Sequence, residues 1–240
     1  MTATPIPRTA AMTWFGDLDI SALTELPGGR KPIRTFVVPE SNASLMSEMF
    51  ALIRKRIDAG ELAYVVCPRI DDDSENADDV LAESATSNSK TTGSPIPSFD
   101  EAYDLGEDDE QRAQRPPLHS VAEIVERLQS LPQFKGIRFA TLTGRDDDTT
   151  KSQVMADFEA GITPILVATT VIEVGVDVAK ASCIVIFDAD RYGLSQLHQL
   201  RGRVGRGGTD SGAFLISRAP ADSDAARRLH VIQGTLDGAE

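Results

Sequence analysis

The order of strand-like and helix-like segments along the chain constrains its fold more than any other feature. Apolar segments typical of buried strands alternate with amphipathic segments typical of helices. The predicted strands are 33–38, 62–67, 137–142, 164–169, 182–188 and 212–217. The predicted helices are 44–60, 120–131, 150–161, 194–200 and 224–234. The runs 164–169 and 182–188 are almost continuously apolar, as parallel strands covered on both faces are. The sequence therefore predicts an α/β fold with a mainly parallel sheet flanked by helices.

The net charge of −13 is unevenly distributed along the chain. Residues 71–117 hold 14 acidic and 3 basic residues, a net of −11, and the remaining chain has 23 acidic and 21 basic residues, a net of −2. The segment 71–117 is polar, aperiodic and rich in Ser, Thr, Gly and Pro, so burial cannot offset the entropy of ordering it. We expect a disordered acidic insertion in a surface loop. The overall acidity then says little about what the folded part binds.

Other features of the composition exclude several classes of protein. The longest apolar runs are strand-sized, far short of the roughly 20 residues that cross a bilayer. The three histidines have no spacing typical of metal ligands, so no metal site is predicted. Cys67 and Cys183 each lie in an apolar run, which favours buried, reduced thiols.

A short basic segment, HQLRGRVGRGG at 198–208, stands out in this acidic chain. In a helix, positions i, i+4 and i+7 share a face, so Gln199, Arg203 and Arg206 are predicted to project together. Guanidinium groups suit phosphate oxygens and remain charged at physiological pH. His198 and Arg201 fall off that face, and we assign them to packing or salt bridges. The alternative for the whole segment is a solvated basic helix end paired with acids elsewhere.

Polar residues also follow two of the predicted strands. Ligands of parallel sheets gather at the carboxyl ends of strands, and we expect the polar clusters of this chain to lie there. Thr169 ends the strand 164–169 and Thr170 follows it, and their hydroxyls could donate to a nucleic-acid phosphate. Gly144 and Arg145 end another strand, although a plain turn is the alternative. Asp177 could bind a ribose hydroxyl or cap the next element.

Three segments together resemble a known family. TATPIPRT at 2–9, VATTVIEVGVDV at 167–178 and QLHQLRGRVGRG at 196–207 resemble, in that order, the third, fifth and sixth helicase motifs of the bacterial RecG family. That family belongs to the second helicase superfamily, whose motors are two RecA-like domains that close on ATP. Transcription-repair coupling factor shares QLHQLRGRVGR and is the alternative within the class. The IEVGVD and VVCP stretches of this chain favour RecG.

The resemblance implies roles for individual residues. Arg203 and Arg206 look like catalytic arginine fingers that reach the γ-phosphate across a domain interface. Gln199, Gly175 and Asp177 match positions that face the nucleotide.

The resemblance implies that other matched positions face DNA or couple ATP hydrolysis to DNA movement. The positions that match DNA-backbone contacts are Thr169, Thr170, Gly144 and Arg145. The positions that match the motif coupling hydrolysis to DNA movement are Thr2, Ala3 and Thr4. The chain departs from the family at Thr143, where a histidine is common, and at Ala179, where a proline often follows the fifth motif.

The sequence contains no G-x-x-x-x-G-K-[ST] segment and no acidic Walker B strand. ATP and Mg²⁺ are therefore expected to be bound mainly by a P-loop domain outside this chain, since phosphates need that backbone cradle, its lysine and the metal. In the family, a wedge domain and the P-loop domain precede the third motif. We expect a fragment with a third-motif remnant and linker at 1–30, a second RecA-like domain at 31–220 and a truncated helical region at 221–240.

The predicted function follows from this resemblance. The parent protein would be a bacterial, cytoplasmic, nucleoid-associated, ATP-dependent helicase that remodels stalled forks and branched recombination intermediates, with no membrane partner. The isolated chain would be inactive. The alternative is a stand-alone module that binds nucleic acid or a protein without ATPase activity.

Overall fold

A computed structural model describes residues 32–70, 116–170 and 178–234 of the chain. Its strands are β1 (Ile33–Pro39), β2 (Leu62–Val66), β3 (Phe139–Leu142), β4 (Ile165–Ala168), β5 (Ala181–Ile186) and β6 (Ser211–Ser217). Its α-helices are α1 (Ala43–Asp58), α2 (Val121–Ser130), α3 (Asp148–Glu159), α4 (Leu194–Arg201) and α5 (Asp224–Gly234). Every predicted strand and helix is present, with small differences at the ends.

The strands form one sheet in the order β1-β6-β5-β2-β4-β3. All neighbouring pairs among the described strands are parallel. The register aligns the strand ends: Val66 of β2 pairs with Ala168 of β4 and with Ile186 of β5. The carboxyl ends of the central strands therefore lie at one edge of the sheet and their amino ends at the other. The predicted α/β fold with a mainly parallel sheet is confirmed.

Helices cover both faces of the sheet, and alternate strand residues feed two separate cores. Leu62, Tyr64 and Val66 of β2 face a core that also contains buried residues of α3, α4 and α5. Ala63 and Val65 face the opposite core, which contains buried residues of α1 and α2. Because helices cover both faces of the sheet, every residue of β2, β4, β5 and β6 is buried. This explains the continuous apolar runs in the sequence.

Polar side chains cap the starts of α2 and α3, and a glycine follows the end of α3. The Ser120 hydroxyl accepts the backbone N–H of Glu123 at 3.1 Å at the start of α2. The Asp147 carboxylate likewise accepts the N–H of Thr150 at 2.7 Å before α3. Gly161, with φ of 76°, follows α3 in the left-handed region that glycine occupies most readily. These contacts place the ends of the helices close to the sequence prediction.

Several further predictions can be compared with the described residues. Cys67 and Cys183 are buried thiols without a disulfide, as expected. Among residues 32–70, 116–170 and 178–234, no helix is long and apolar enough to cross a membrane. The same residues contain no group of three or more His, Cys, Asp or Glu suited to a metal ion. Residues 71–115 of the predicted insertion lie outside the described residues, so its disorder stays a prediction.

The predicted domain boundaries also stay predictions. Helix α5, placed by the sequence in a separate C-terminal region from 221, packs on the same sheet as α3 and α4. Its residues Leu229 and Ile232 are buried in that core. The first predicted segment, 1–30, lies outside the described residues.

Candidate functional site

The turn after β3 carries two of the candidate DNA-contacting residues. Gly144 and Arg145 are exposed there, directly after Leu142 ends the strand. Thr143 donates both its backbone N–H, at 2.6 Å, and its hydroxyl, at 2.9 Å, to the Asp146 carboxylate. The N–H of Arg145 donates to the Thr143 hydroxyl at 3.3 Å. Thr143, which stands where the family commonly has a histidine, therefore stabilises the turn through these hydrogen bonds.

The end of β4 lies next to this turn. The N–H of Thr169 donates to the carbonyl oxygen of Leu142 at 3.2 Å, which joins the two strand ends. Thr170 is half-buried, but Thr169 is only 3% exposed. The Thr169 side chain is buried behind the strand end, and the contact of both threonines with a DNA backbone stays a prediction. Thr170, Gly144 and Arg145 follow the carboxyl ends of the neighbouring strands β3 and β4.

The basic segment does not continue as a helix. Helix α4 ends at Arg201, and Gly205, with φ of 79°, adopts a left-handed conformation that no helix interior contains. The expectation that Gln199, Arg203 and Arg206 share one helical face is therefore wrong. Gln199 is half-buried within α4, whereas Arg203 and Arg206 lie in the segment 202–210, here called the arginine loop.

The arginine loop lies at the amino edge of the sheet. The N–H of Gly205 reaches the carbonyl oxygen of Ala181, the first residue of β5, at 3.4 Å. At the end of the loop, Arg56 of α1 donates to the carbonyl oxygen of Asp210, which directly precedes β6. The expectation that all the polar clusters lie at the carboxyl ends of strands is wrong for Arg203 and Arg206. Their loop connects α4, which returns from the carboxyl edge, to the start of β6.

Within the loop, one side chain is buried and another is exposed. Val204 is 0% exposed and belongs to the core that contains α3, α4 and α5. Arg206 is exposed, and its Nε donates to the carbonyl oxygen of Gly202 at 3.1 Å. Arg203 is half-buried, and its N–H donates to the carbonyl oxygen of Leu200 at 3.0 Å. The buried valine therefore fixes a loop that presents the Arg206 guanidinium to solvent.

Arg201 and His198 have the packing role that the sequence predicts. Arg201 is 4% exposed although it carries a charge. Its Nη1 donates to the carbonyl oxygen of Ile232 in α5 at 2.8 Å, and its Nη2 lies 3.0 Å from Nδ1 of His198. Burial lowers the pKa of the Arg201 guanidinium. Of the three arginines in the basic segment, this one joins α4 to α5.

Some candidate residues cannot be compared with the structure. Thr2, Ala3 and Thr4 lie outside the described residues, as do Gly175 and Asp177. Val178, the last residue of the fifth-motif segment, and Ala179 after it are described, and Val178 is buried.

Sequence reasoning missed a buried group of charges at the carboxyl edge of β1, β5 and β6. This charge cluster consists of His119, Asp188, Glu40, Arg127 and Arg218. Nδ1 of His119 lies 2.9 Å from Oδ2 of Asp188, and its Nε2 lies 3.2 Å from Oε1 of Glu40. Arg127 donates to Oε1 of Glu40 at 2.6 Å, and Nε of Arg218 donates to Oδ1 of Asp188 at 3.0 Å. The cluster fastens the segment before α2 to three strands.

The contacts of the cluster shift its pKa values. Burial by itself lowers the pKa of His119, but its hydrogen bonds to Asp188 and Glu40 outweigh burial and raise the pKa to about 9. Burial raises the pKa of Glu40, but hydrogen bonds from His119 and Arg127 bring it down to about 2. The pKa of Asp188 is also lowered, against its burial, by His119 and Arg218. All three groups are therefore charged at neutral pH.

Comparison with known proteins places this geometry in a class. The family described as helicase conserved C-terminal domain matches residues 117–208. The solved structure of RecG bound to a three-way DNA junction matches with a TM-score of 0.64 and 31% identity, over 98% of this chain and 25% of that chain. The parallel sheet, its helices on both faces and the family match define a RecA-like helicase C-terminal domain.

Curated relatives make the assignment more specific. The chain is 41% identical over 240 residues to ATP-dependent DNA helicase RecG of Mycobacterium tuberculosis (strain ATCC 25618 / H37Rv), covering 99% of this chain and 28% of the relative. It is 36% identical over 241 residues to the RecG of Bacillus subtilis (strain 168), covering 100% of this chain and 29% of that relative. The chain belongs to the RecG-type C-terminal helicase domains over the length it shares with them. That length is a little over a quarter of each relative.

Proposed function

We propose that this chain is the second RecA-like motor domain of an ATP-dependent DNA helicase that remodels stalled forks and branched recombination intermediates. The observation that carries the proposal is the exposed Arg206 guanidinium, held on a loop that Val204 fixes to the core. A cation held in place at a domain surface can stabilise negative charge that develops on a ligand of a neighbouring domain. The whole sequence contains no P-loop of its own, so that charge would lie on a partner domain.

The chemistry assigned to the arginine loop is electrostatic. Arg203 and Arg206 would stabilise negative charge that grows on the γ-phosphate in the transition state, a contribution worth about 10³–10⁵ in rate in other nucleotide hydrolases. Gln199, Gly175 and Asp177 would contact the same nucleotide. Mg²⁺ and ATP would be held mainly by the P-loop domain, where the metal neutralises phosphate charge. This chain would therefore supply cations and hydrogen bonds to the nucleotide.

The carboxyl edge would bind the DNA backbone. Arg145 is exposed on a turn that Thr143 and Asp146 hold in shape, and Thr170 lies two residues after the end of the neighbouring strand β4. Phosphate contacts from a guanidinium, a hydroxyl and a bare glycine backbone position a protein on DNA without reading its sequence. Thr2, Ala3 and Thr4 would couple hydrolysis to DNA movement.

The parent protein would contain three parts that act together. A wedge domain would bind the branch of a forked DNA, and a P-loop domain would bind ATP. The domain formed by this chain would close on the P-loop domain. Such a protein would act in the bacterial cytoplasm, on the nucleoid.

A RecG chimera tests the proposal. In it, this chain replaces the aligned segment of the M. tuberculosis relative, and ATP hydrolysis is measured with and without a three-way DNA junction. We expect DNA-stimulated turnover that Arg206→Ala lowers at least about 10³-fold, because the finger acts only in the transition state. Arg227→Ala is the matched control, since that arginine is also exposed and lies on α5 away from the arginine loop.

The isolated chain provides a second test of the proposal. We expect it to show no DNA-stimulated ATP turnover. Turnover by the isolated chain that Arg206→Ala abolishes would contradict the proposal, as would a RecG chimera whose turnover Arg206→Ala leaves unchanged. If the isolated chain bound DNA as tightly as the RecG chimera, with a strong salt dependence, the alternative of a stand-alone binding module would be favoured.

A further inference from the structure

Gly207 lies immediately after Arg206, against the backbone that leads into β5. A Cβ atom built on Gly207 would overlap the carbonyl oxygen of Ala179 and lie 3.0 Å from its carbonyl carbon. Real Cβ atoms essentially never approach backbone this closely. Any other L-residue at position 207 therefore forces either the arginine loop or the Ala179 backbone to move.

The Ala179 backbone is the less able of the two to move. Val178, just before it, is 1% exposed, and the N–H of Ala181 donates to the carbonyl oxygen of Val178 at 3.1 Å. On the other side, the carbonyl oxygen of Lys180 accepts the N–H of Leu62 at 3.0 Å. These contacts join residues 178–181 to the centre of the sheet. A side chain at position 207 would therefore displace the loop.

Arg206 lies between two contacts of its own loop with this backbone. On one side the N–H of Gly205 reaches the carbonyl oxygen of Ala181. On the other side Gly207 packs on the Ala179 carbonyl. The Cα of Arg206 is thereby fixed relative to residues 178–181, which are the last residue of the fifth-motif segment and the three residues after it.

We propose that Gly207 is a positioning residue, whose lack of a side chain lets the arginine loop seat on the Ala179 carbonyl and so sets where the Arg206 guanidinium projects. The inference rests on the proposed function of Arg206. It adds that Gly207 determines the position of the Arg206 guanidinium. Gly207 itself touches neither nucleotide nor DNA in this account. Its effect is transmitted through the position of the loop backbone.

The predicted effect follows from the sensitivity of catalysis to geometry. A displacement of about 1 Å in a catalytic group can cost about 10²-fold in rate. Because the finger contributes in the transition state, the loss should appear in kcat, with little change in the KM for ATP. A general loss of structure would instead lower the amount of folded protein and the midpoint of thermal unfolding.

The test measures DNA-stimulated ATP hydrolysis by the RecG chimera carrying Gly207→Ala. We expect kcat to fall by about 30- to 100-fold, with the KM for ATP within about twofold of the unsubstituted chimera. Gly234→Ala is the matched control, since a Cβ there meets nothing within 4 Å, and its kcat should be unchanged. Thermal unfolding of this chain with Gly207→Ala should show a single cooperative transition like that of the unsubstituted chain.

Each result decides the inference. A kcat within twofold of the unsubstituted chimera would overturn it, as would a fall in kcat matched by Gly234→Ala. Loss of the cooperative transition in Gly207→Ala would also overturn it, because the glycine would then be needed for folding. The Arg206→Ala chimera separates the two proposals: if it abolishes turnover while Gly207→Ala does not lower it, only the role of Gly207 fails. If Arg206→Ala leaves turnover unchanged, the proposed function fails.

Discussion

At the scale of single residues, His119 has the most unusual environment in the part of the chain that the structure describes. Both of its ring nitrogens face carboxylates, Asp188 at 2.9 Å and Glu40 at 3.2 Å, and Glu123 lies 3.8 Å from Nε2. Only the protonated ring can donate from both nitrogens. Arg127 and Arg218 border the same carboxylates and balance their remaining charge. The group is therefore a satisfied ionic network, and its loss should be costly.

The raised pKa of His119 makes its contribution to stability depend on pH. The pKa is 6.5 in the reference state and about 9 in the folded protein, so the stabilisation is complete below pH 6.5 and is lost as pH rises through 9. We expect His119→Gln to lower the free energy of unfolding by about 3 kcal/mol at pH 6, as breaking a buried ion pair does, and by much less at pH 10. Urea unfolding followed by circular dichroism at the two pH values measures this difference.

His230 is the matched control for that experiment. It is an exposed histidine on α5, and His230→Gln should change the free energy of unfolding by no more than about 0.5 kcal/mol at either pH. A loss for His119→Gln that is equal at pH 6 and pH 10 would show that the imidazolium charge is not what stabilises the fold.

At the scale of elements, the basic segment divides into an arginine that joins two helices and an arginine that faces solvent. Arg201 is buried and donates to the carbonyl oxygen of Ile232, so its removal leaves a buried acceptor on α5 without that donor. We expect Arg201→Ala to lower the free energy of unfolding by about 2 kcal/mol. Arg206→Ala, at an exposed position, should change it by less than about 0.5 kcal/mol. Urea unfolding of both variants at pH 7 compares them.

One outcome of the urea unfolding experiment would contradict this division between Arg201 and Arg206. Equal destabilisation by Arg201→Ala and Arg206→Ala would mean that the Arg206 side chain supports the fold, and its assignment to the nucleotide would lose its basis. The sequence assigned Arg201 to packing or a salt bridge, but it could not identify the group that Arg201 contacts. Arg201 bonds to a carbonyl 31 residues further along the chain, and only the packing of α4 on α5 creates that bond.

Local patterns predicted the elements well because they depend on neighbouring residues. The alternation of strands and helices, the buried strands and the Gly161 stop all follow from periodicity and backbone preference. The error in the arginine loop has a local cause as well. Gly202 is the C-cap residue of α4 and Gly205 has a φ of 79°, so giving these two glycines more weight than the i, i+4, i+7 spacing would have ended the predicted helix before Arg203.

The charge cluster could not be predicted in this way. His119 meets Asp188 across 69 residues of sequence, and Arg127 meets Glu40 across 87. Each residue alone is typical of a solvated surface. Their meeting depends on strand order, since β1, β6 and β5 bring Glu40, Arg218 and Asp188 to one edge. Strand order is a property of the whole sheet and leaves no pattern in a short window.

At the scale of the whole molecule, the sheet separates the two activities proposed for it. The DNA-facing candidates Arg145 and Thr170 lie at the carboxyl edge, and the arginine loop lies at the amino edge, next to Ala181. Ala168 ends β4 at the first edge, and Ala181 begins β5 at the second. A domain built this way can contact DNA and nucleotide through separate surfaces that share one rigid sheet.

This separation predicts that the two sets of substitutions act independently. Arg145→Ala should weaken the affinity of the RecG chimera for a three-way DNA junction and reduce the slope of log affinity against log salt by about 1, because one phosphate contact is lost. Arg206→Ala should leave both the affinity and the slope unchanged while it lowers ATP turnover. Fluorescence anisotropy without nucleotide, over a series of salt concentrations, measures both quantities. A change in the salt slope with Arg206→Ala would place the arginine loop on DNA and would end the assignment of one activity to each edge.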